Sequence, residues 1–132
     1  MPRYLTVLFI LLGLASNSLA QQQSCPCGGG SRMTDTQISN LLGSNTVCAI
    51  VGNERWQEWH NGNAIYELGN NANGENVGTW SVIGTGDSAM VNYNYGTGGA
   101  YSYVVCDQNS LYHFCGAKNV TNASVKPGKG GC

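Results

Sequence analysis

The sequence predicts an all-β domain. It reads as a single antiparallel meander of about seven strands closing into a small barrel or sandwich, with one short N-terminal helix and disulfide staples. Three observations carry this reading. From Thr46 onward apolar residues recur at every second position, the period of a half-buried strand. Turn residues punctuate the pattern, Asn61-Gly62 and Gly96-Thr97-Gly98-Gly99 most clearly. No helical period separates one strand from the next, so nothing can make the crossovers of a parallel sheet.

Residues 1–20 read as a secretory signal peptide: Arg3, an apolar run from Leu5 to Leu14, then Ser18 and Ala20 at the positions before a cleavage site. Cleavage after Ala20 leaves 112 residues, a single domain's worth of chain. Residues 21–33 form a polar, glycine-rich N-terminal arm, expected to be irregular. Over 34–42, Ile38, Leu41 and Leu42 share one helical face, Thr34 or Asp35 can cap it, and Gly43 stops it. The strands follow as Thr46 to Val51, Arg55 to His60, Asn63 to Leu68, Val77 to Ile83, Ala89 to Tyr95, Ala100 to Cys106 and Ser110 to Cys115. They make a β domain over 34–116, and residues 117–132 read as a polar C-terminal tail pinned by Cys132.

Cys25, Cys27, Cys48, Cys106, Cys115 and Cys132 all follow the signal peptide. Six cysteines in a small exported chain read as three disulfides, since no second close pair accompanies Cys25-Pro26-Cys27 to make a zinc site. A meander that closes brings its first and last strands together, which predicts a Cys48–Cys115 bridge.

After cleavage, 5 Lys and Arg face 7 Asp and Glu, too few basic groups for a nucleic-acid surface. No later stretch has the length or apolarity of a membrane span. No phosphate-binding loop, haem-attachment motif or zincin motif is present, and no cofactor is called for. The 14 Asn and 18 Gly that remain make a low-charge, amide-rich surface suited to contact with a protein, with carbohydrate or with itself. Asn119 and Asn122 begin glycosylation sequons that matter only in a eukaryotic host.

A two-residue turn at Asn61-Gly62 sets His60 opposite Asn63, Trp59 opposite Ala64 and Trp56 opposite Glu67. Trp59, Ala64, Tyr66 and Leu68 then share one face, which looks like core. Trp56, Glu58, His60, Ile65 and Glu67 share the other, which looks like surface. Tyr93, Tyr95, Tyr101 and Tyr103 on neighbouring strands can form an aromatic ladder. With Trp56 they make the candidate binding surface, since aromatic anchors among adaptable polar groups are what recognition uses. Glu58, His60 and Glu67 form the candidate catalytic set of a hydrolase. His113, between Tyr112 and Phe114, reads as structural.

Gly78-Thr79-Trp80 resembles the G-x-W of lipocalins and avidins, ligand-binding barrels in which the glycine admits a close neighbour and the tryptophan fills the barrel end. In those families the motif opens the first strand; here it lies mid-chain. The wider pattern of Asn-Thr-Val-Cys (45–48), Trp-Gln-Glu-Trp-His (56–60), Val-Gly-Thr-Trp-Ser-Val (77–82), Val-Asn-Tyr-Asn-Tyr-Gly (91–96), Tyr-Ser-Tyr (101–103) and Tyr-His-Phe-Cys (112–115) is similar to small exported bacterial proteins without an assigned activity. That resemblance implies export and an all-β fold and brings no catalytic residues. The expected function is a secreted or periplasmic binding or inhibitor module. The alternatives are a subunit of an extracellular layer or filament, and a small secreted hydrolase.

Overall fold

The computed structural model describes Cys27, residues 30–70 and residues 72–132. The expected signal peptide, Cys25 and most of the N-terminal arm lie outside the described residues. The elements are β1 (Ser31–Arg32), α1 (Asp35–Leu42), β2 (Thr46–Val51), β3 (Glu54–Asn61), β4 (Ala64–Glu67), β5 (Asn76–Ile83), β6 (Met90–Asn94), β7 (Ala100–Gln108), β8 (Leu111–Cys115) and β9 (Val120–Lys126). Strands β2 to β9 each pair with their sequence neighbours, and β9 also pairs back with β2, which closes an eight-stranded antiparallel barrel. The short β1 extends one flank of β7, with Arg32 opposite Cys106.

The barrel is therefore one strand larger than the meander read from the sequence. The polar tail expected over 117–132 contains β9, which the period-two pattern conceals. Asn122 takes φ 56°, and the pairing shifts register between Tyr112 and Phe114. Such a bulge puts Val120, Ala123 and Val125 on the core side at spacings of three and then two.

Helix α1 forms where its caps predict. The Thr34 side chain accepts from the Gln37 backbone while the Gln37 side chain accepts from the Thr34 backbone, a complete capping box. Its apolar face drives Ile38 and Leu42, both fully buried, against β5, β6 and the turn over 86–88. There they join Val47, Ile65, Val91, Val105 and Phe114 in the core. Gly78 lets β5 pass close to β6, because a Cβ there would run into the Asn94 carbonyl.

The β3–β4 hairpin corrects two expectations. The turn is Gly62-Asn63, with Gly62 at φ 58°, so Asn61 faces Ala64, Trp59 faces Tyr66 and Glu58 faces Glu67. A shift of one turn residue preserves which side chains share a face, and the two groups are those read from the sequence. Their orientation is reversed. Glu58, His60 and Ile65 are buried inside the barrel with 2%, 0% and 0% exposure, and Trp56 packs against the core beside them. Trp59, Tyr66 and Ala64 lie on the outer wall, where the Trp59 and Tyr66 rings meet at a tilt with centroids 5.3 Å apart and the Lys129 ammonium sits 5.3 Å from the Trp59 ring. The interior tolerates the more polar face because its polar atoms are bonded to one another. Among the described residues no buried side-chain nitrogen or oxygen lacks a hydrogen-bond partner.

Cys48 pairs with Cys132, and not with Cys115 as closure of the meander suggested. The physical reason is β9: it separates β2 from β8 and delivers the C-terminus to the outer side of β2. The tail is further held by Thr46 Oγ1 donating to the Gly128 carbonyl (2.7 Å) and by the Gly128 amide donating to Asn45 Oδ1 (3.1 Å). Cys27 pairs with Cys106 on β7, and Cys115 is also disulfide-bonded. Disulfides of this kind belong to an oxidising environment. His113 is structural as expected: the Asn122 amide donates to Nδ1, so the ring's proton sits on Nε2 and is donated to Gln108 Oε1.

Candidate functional site

In an antiparallel barrel alternate turns gather at opposite ends, and the two ends here differ. One gathers α1, the Gly62-Asn63 turn, the turn over 84–89 and the Asn109-Ser110 turn. It is sealed by the helix and by a network around His60. The His60 amide and Nδ1 both reach the Asn45 carbonyl, at 2.9 and 3.2 Å, and Nε2 lies 2.9 Å from the Tyr93 hydroxyl. A carbonyl can only accept, so the neutral ring carries its proton on Nδ1 and takes the Tyr93 proton at Nε2. Burial pushes the His60 pKa down to about 4, against the raising effect of its hydrogen bonds to the Asn45 and Glu58 backbones. Trp80 packs edge-on to the imidazole at 5.0 Å and donates to the Gly62 carbonyl.

The other end gathers the turns over 52–53, 95–99 and 116–119 and the connection from β4 to β5, and among the described residues it is open. A pocket of about 220 Å³ enters the barrel here. Its walls are the rings of Trp56, Tyr95, Tyr101 and Tyr103, and Glu58 and Glu67 also line it. Trp56 is wedged edge-on to Phe114 (5.0 Å) and Tyr93 (5.6 Å), and lies 6.4 Å from Tyr103. Tyr95 and Tyr101 are 6.0 Å apart.

Glu58 is the chemically unusual group. The Tyr95 hydroxyl lies 2.8 and 2.9 Å from its two carboxyl oxygens. Burial raises its pKa to about 7, the Tyr95 and Trp56 hydrogen bonds working against that rise and the charge of Glu67 adding to it. Burial, and then the Glu58 charge, lift Tyr95 beyond the ordinary phenol range, so its hydroxyl stays protonated. Glu67 is also raised, first by partial burial, while the Gly69 amide it accepts from (2.9 Å) pulls the other way.

The loop after β4 fixes Glu67. Asn70, at φ 53°, accepts from the Arg55 amide (3.1 Å) and donates to the Arg55 carbonyl (3.3 Å), clamping the loop to β3. Gly69 can have no side chain there, since a Cβ would meet the Arg55 carbonyl.

Four of the five candidate binding residues thus meet in one pocket: Trp56, Tyr95, Tyr101 and Tyr103. They do so inside the barrel mouth and not on the outer face expected for Trp56. Tyr93 is fully buried beneath them, its hydroxyl committed to His60. The candidate catalytic trio is split. Glu58 and Glu67 share the pocket, whereas His60 lies deeper, with both ring nitrogens engaged by the protein, and is not among the pocket's walls. The reading from sequence missed Glu54, Arg55, Asn70 and Lys118 at the rim and Val51 and Val120 in the wall. Each flanks a turn at the open end, so tracing which turns share an end of the closed ring would have found most of them.

The architecture defines a class: a disulfide-bonded, eight-stranded antiparallel barrel, plugged by a helix at one end and open to an aromatic, acidic pocket at the other. Compared with protein-family models, with curated proteins and with solved structures, the chain matches none.

Proposed function

We propose that this chain is an exported binding module whose ligand occupies the barrel mouth. One observation carries the reading: four of the aromatic residues singled out in the sequence converge on a pocket at the barrel end that, among the described residues, the helix leaves open, with an acidic group of raised pKa in its wall. Pockets that combine ring surface with placed polar groups are how small ligands are held. A volume of about 220 Å³ is below the usual drug-sized range, which selects a small molecule or a single protruding group of a larger one. Export is supported by the disulfides and by the leader-like first twenty residues.

The filament reading loses support, because the closed ring pairs β2 to β9 on both sides and leaves the two-residue β1 as the free edge among the described strands. A hydrolase reading is favoured by one observation, the raised Glu58 beside Glu67, which is how a general acid and a second carboxylate are arranged in glycoside cleavage. It now rests on the two carboxyls without His60.

Thermal-shift screening of small amines, alcohols and saccharides tests the binding reading when run on the wild type and on Val51→Trp, which fills the mouth. Ligands should stabilise the wild type and fail to stabilise the filled variant. Equal stabilisation of both would place binding elsewhere. Turnover of a saccharide that is lost in Glu58→Gln would favour the hydrolase.

A further inference from the structure

Two carboxylates directly opposite on paired strands repel each other, and here the pair is placed inside a barrel among aromatic rings. When both are ionised, that arrangement works against the fold. Glu58 is almost wholly buried and, among the described residues, its hydrogen-bond partners are neutral, the Tyr95 hydroxyl and the Trp56 indole. Among the described residues the other titratable groups that face it are Glu67 from β4, Tyr93 from β6 and Tyr103 from β7, and none of these is a cation. The basic side chains that line the pocket, Arg55 and Lys118, are both exposed and belong to the rim, where Glu54 accompanies them. Ring faces around a carboxylate attract a positive charge through the aromatic quadrupole, most strongly where water is excluded.

We infer that the ligand of the barrel mouth is a small protonated amine, its ammonium group received by the Glu58 and Glu67 carboxylates and faced by the rings of Trp56, Tyr95 and Tyr103. The inference rests on the mouth being the binding site. An N–H-bearing ammonium suits the site better than a quaternary one, since Glu58 and Glu67, which line the cavity, offer acceptor oxygens to an N–H donor. The exposed Arg55 and Lys118 leave room at the rim for a polar or anionic far end of the ligand.

Binding of an ammonium ion requires Glu58 to be ionised. Its pKa of about 7 makes uptake of the ligand release a proton at lower pH. Affinity should fall by about tenfold for each pH unit below 7, and hold steady above it until the amine itself loses its proton near 10.

The experiment is a calorimetric titration of the mature protein with phenethylamine, with the neutral 2-phenylethanol, with tetramethylammonium and with a short neutral oligosaccharide, at pH 5 and pH 8. Phenethylamine should bind at pH 8, weaken by about 100-fold at pH 5, and weaken by at least tenfold in Glu58→Gln and in Glu67→Gln. Both variants are near-isosteric, and their thermal melts establish that they fold. Binding of the alcohol or the oligosaccharide at least as tightly as the amine would overturn the ammonium assignment while leaving the mouth as the site. Tighter binding of tetramethylammonium would overturn the assignment to an N–H donor. Failure of all four probes to bind would overturn the amine assignment, and failure across the wider thermal-shift screen would overturn the mouth itself.

Discussion

Glu58 and His60 stand two residues apart on one strand, both inside the barrel, and they serve opposite ends of it. Each is held toward its neutral form by burial, the acid raised to about 7 and the imidazole lowered to about 4. Their surroundings separate their roles. His60 spends both ring nitrogens on the protein, on Asn45 and Tyr93, at an end that α1 seals. Glu58 accepts from the Tyr95 phenol and the Trp56 indole and lines a cavity. A buried ionisable group that is fully bonded and sealed is structure; one beside an open pocket is available to a ligand. The pKa shift alone does not separate them, and the geometry does.

The largest way to break the sealed end is to release the tail that covers its outer wall. Replacing Cys48 and Cys132 together by serine removes a link across 84 residues, which the chain-entropy account values at about 4–5 kcal/mol. Urea unfolding should show that loss, with little change in amine binding at the opposite end where the fold survives.

The tryptophans sharpen the comparison across the wall of β3. Trp56→Ala removes a ring packed against Tyr93, Tyr103 and Phe114 and should cost about 3–5 kcal/mol. Trp59→Ala loses an outer-wall ring contact and a cation contact, together about 1–2 kcal/mol. Denaturant midpoints of the two variants measure the difference, and the reverse order would mean the face assignment is inverted.

His60→Leu keeps the apolar volume and orphans the buried Tyr93 hydroxyl, a cost of about 1–3 kcal/mol. Because the His60 pKa is lowered on folding, the wild type also loses stability as pH falls from 6.5 toward 4, and this variant should not share that loss. Amine affinity at pH 8 should be unchanged. A marked drop in affinity would give His60 a part in binding that its position denies.

Most of the fold was legible in the residues, and for identifiable reasons. The capping box at Thr34 and Gln37, the alternation from Thr46 onward and the glycine-bearing turns are local signals, and local signals survive without tertiary context. β9 was hidden because a bulge at Asn122 breaks the period on which strand reading depends. The disulfide of Cys48 followed that error, since the missed strand decides which cysteine lies near β2. The inverted face of β3 has a different cause. Hydrophobicity assigns Trp59, Tyr66 and Leu68 to the core, but the interior instead holds Glu58 and His60 because Tyr95, Tyr93 and Asn45 satisfy them. Those partners are 33 to 37 residues away, on β6 and just beyond it, or 15 residues away before β2, and a single-strand pattern cannot register them. For the same reason the aromatic residues of the site were found by type while their common pocket was not.

The stability of the wild type and of Glu58→Gln, measured by denaturant unfolding from pH 4 to pH 8, tests most directly whether Glu58 is held for function. A carboxyl whose folded pKa is raised from 4.5 to about 7 costs the fold nothing below 4.5, and an increasing amount as pH rises to 7, about 3 kcal/mol in all. The neutral amide of Glu58→Gln carries no such cost. The variant should therefore gain on the wild type across that window and stay ahead by about 3 kcal/mol at pH 8, while binding the amine poorly. Parallel profiles, or a variant less stable than the wild type at pH 8, would make Glu58 an ordinary structural acid and contradict the account.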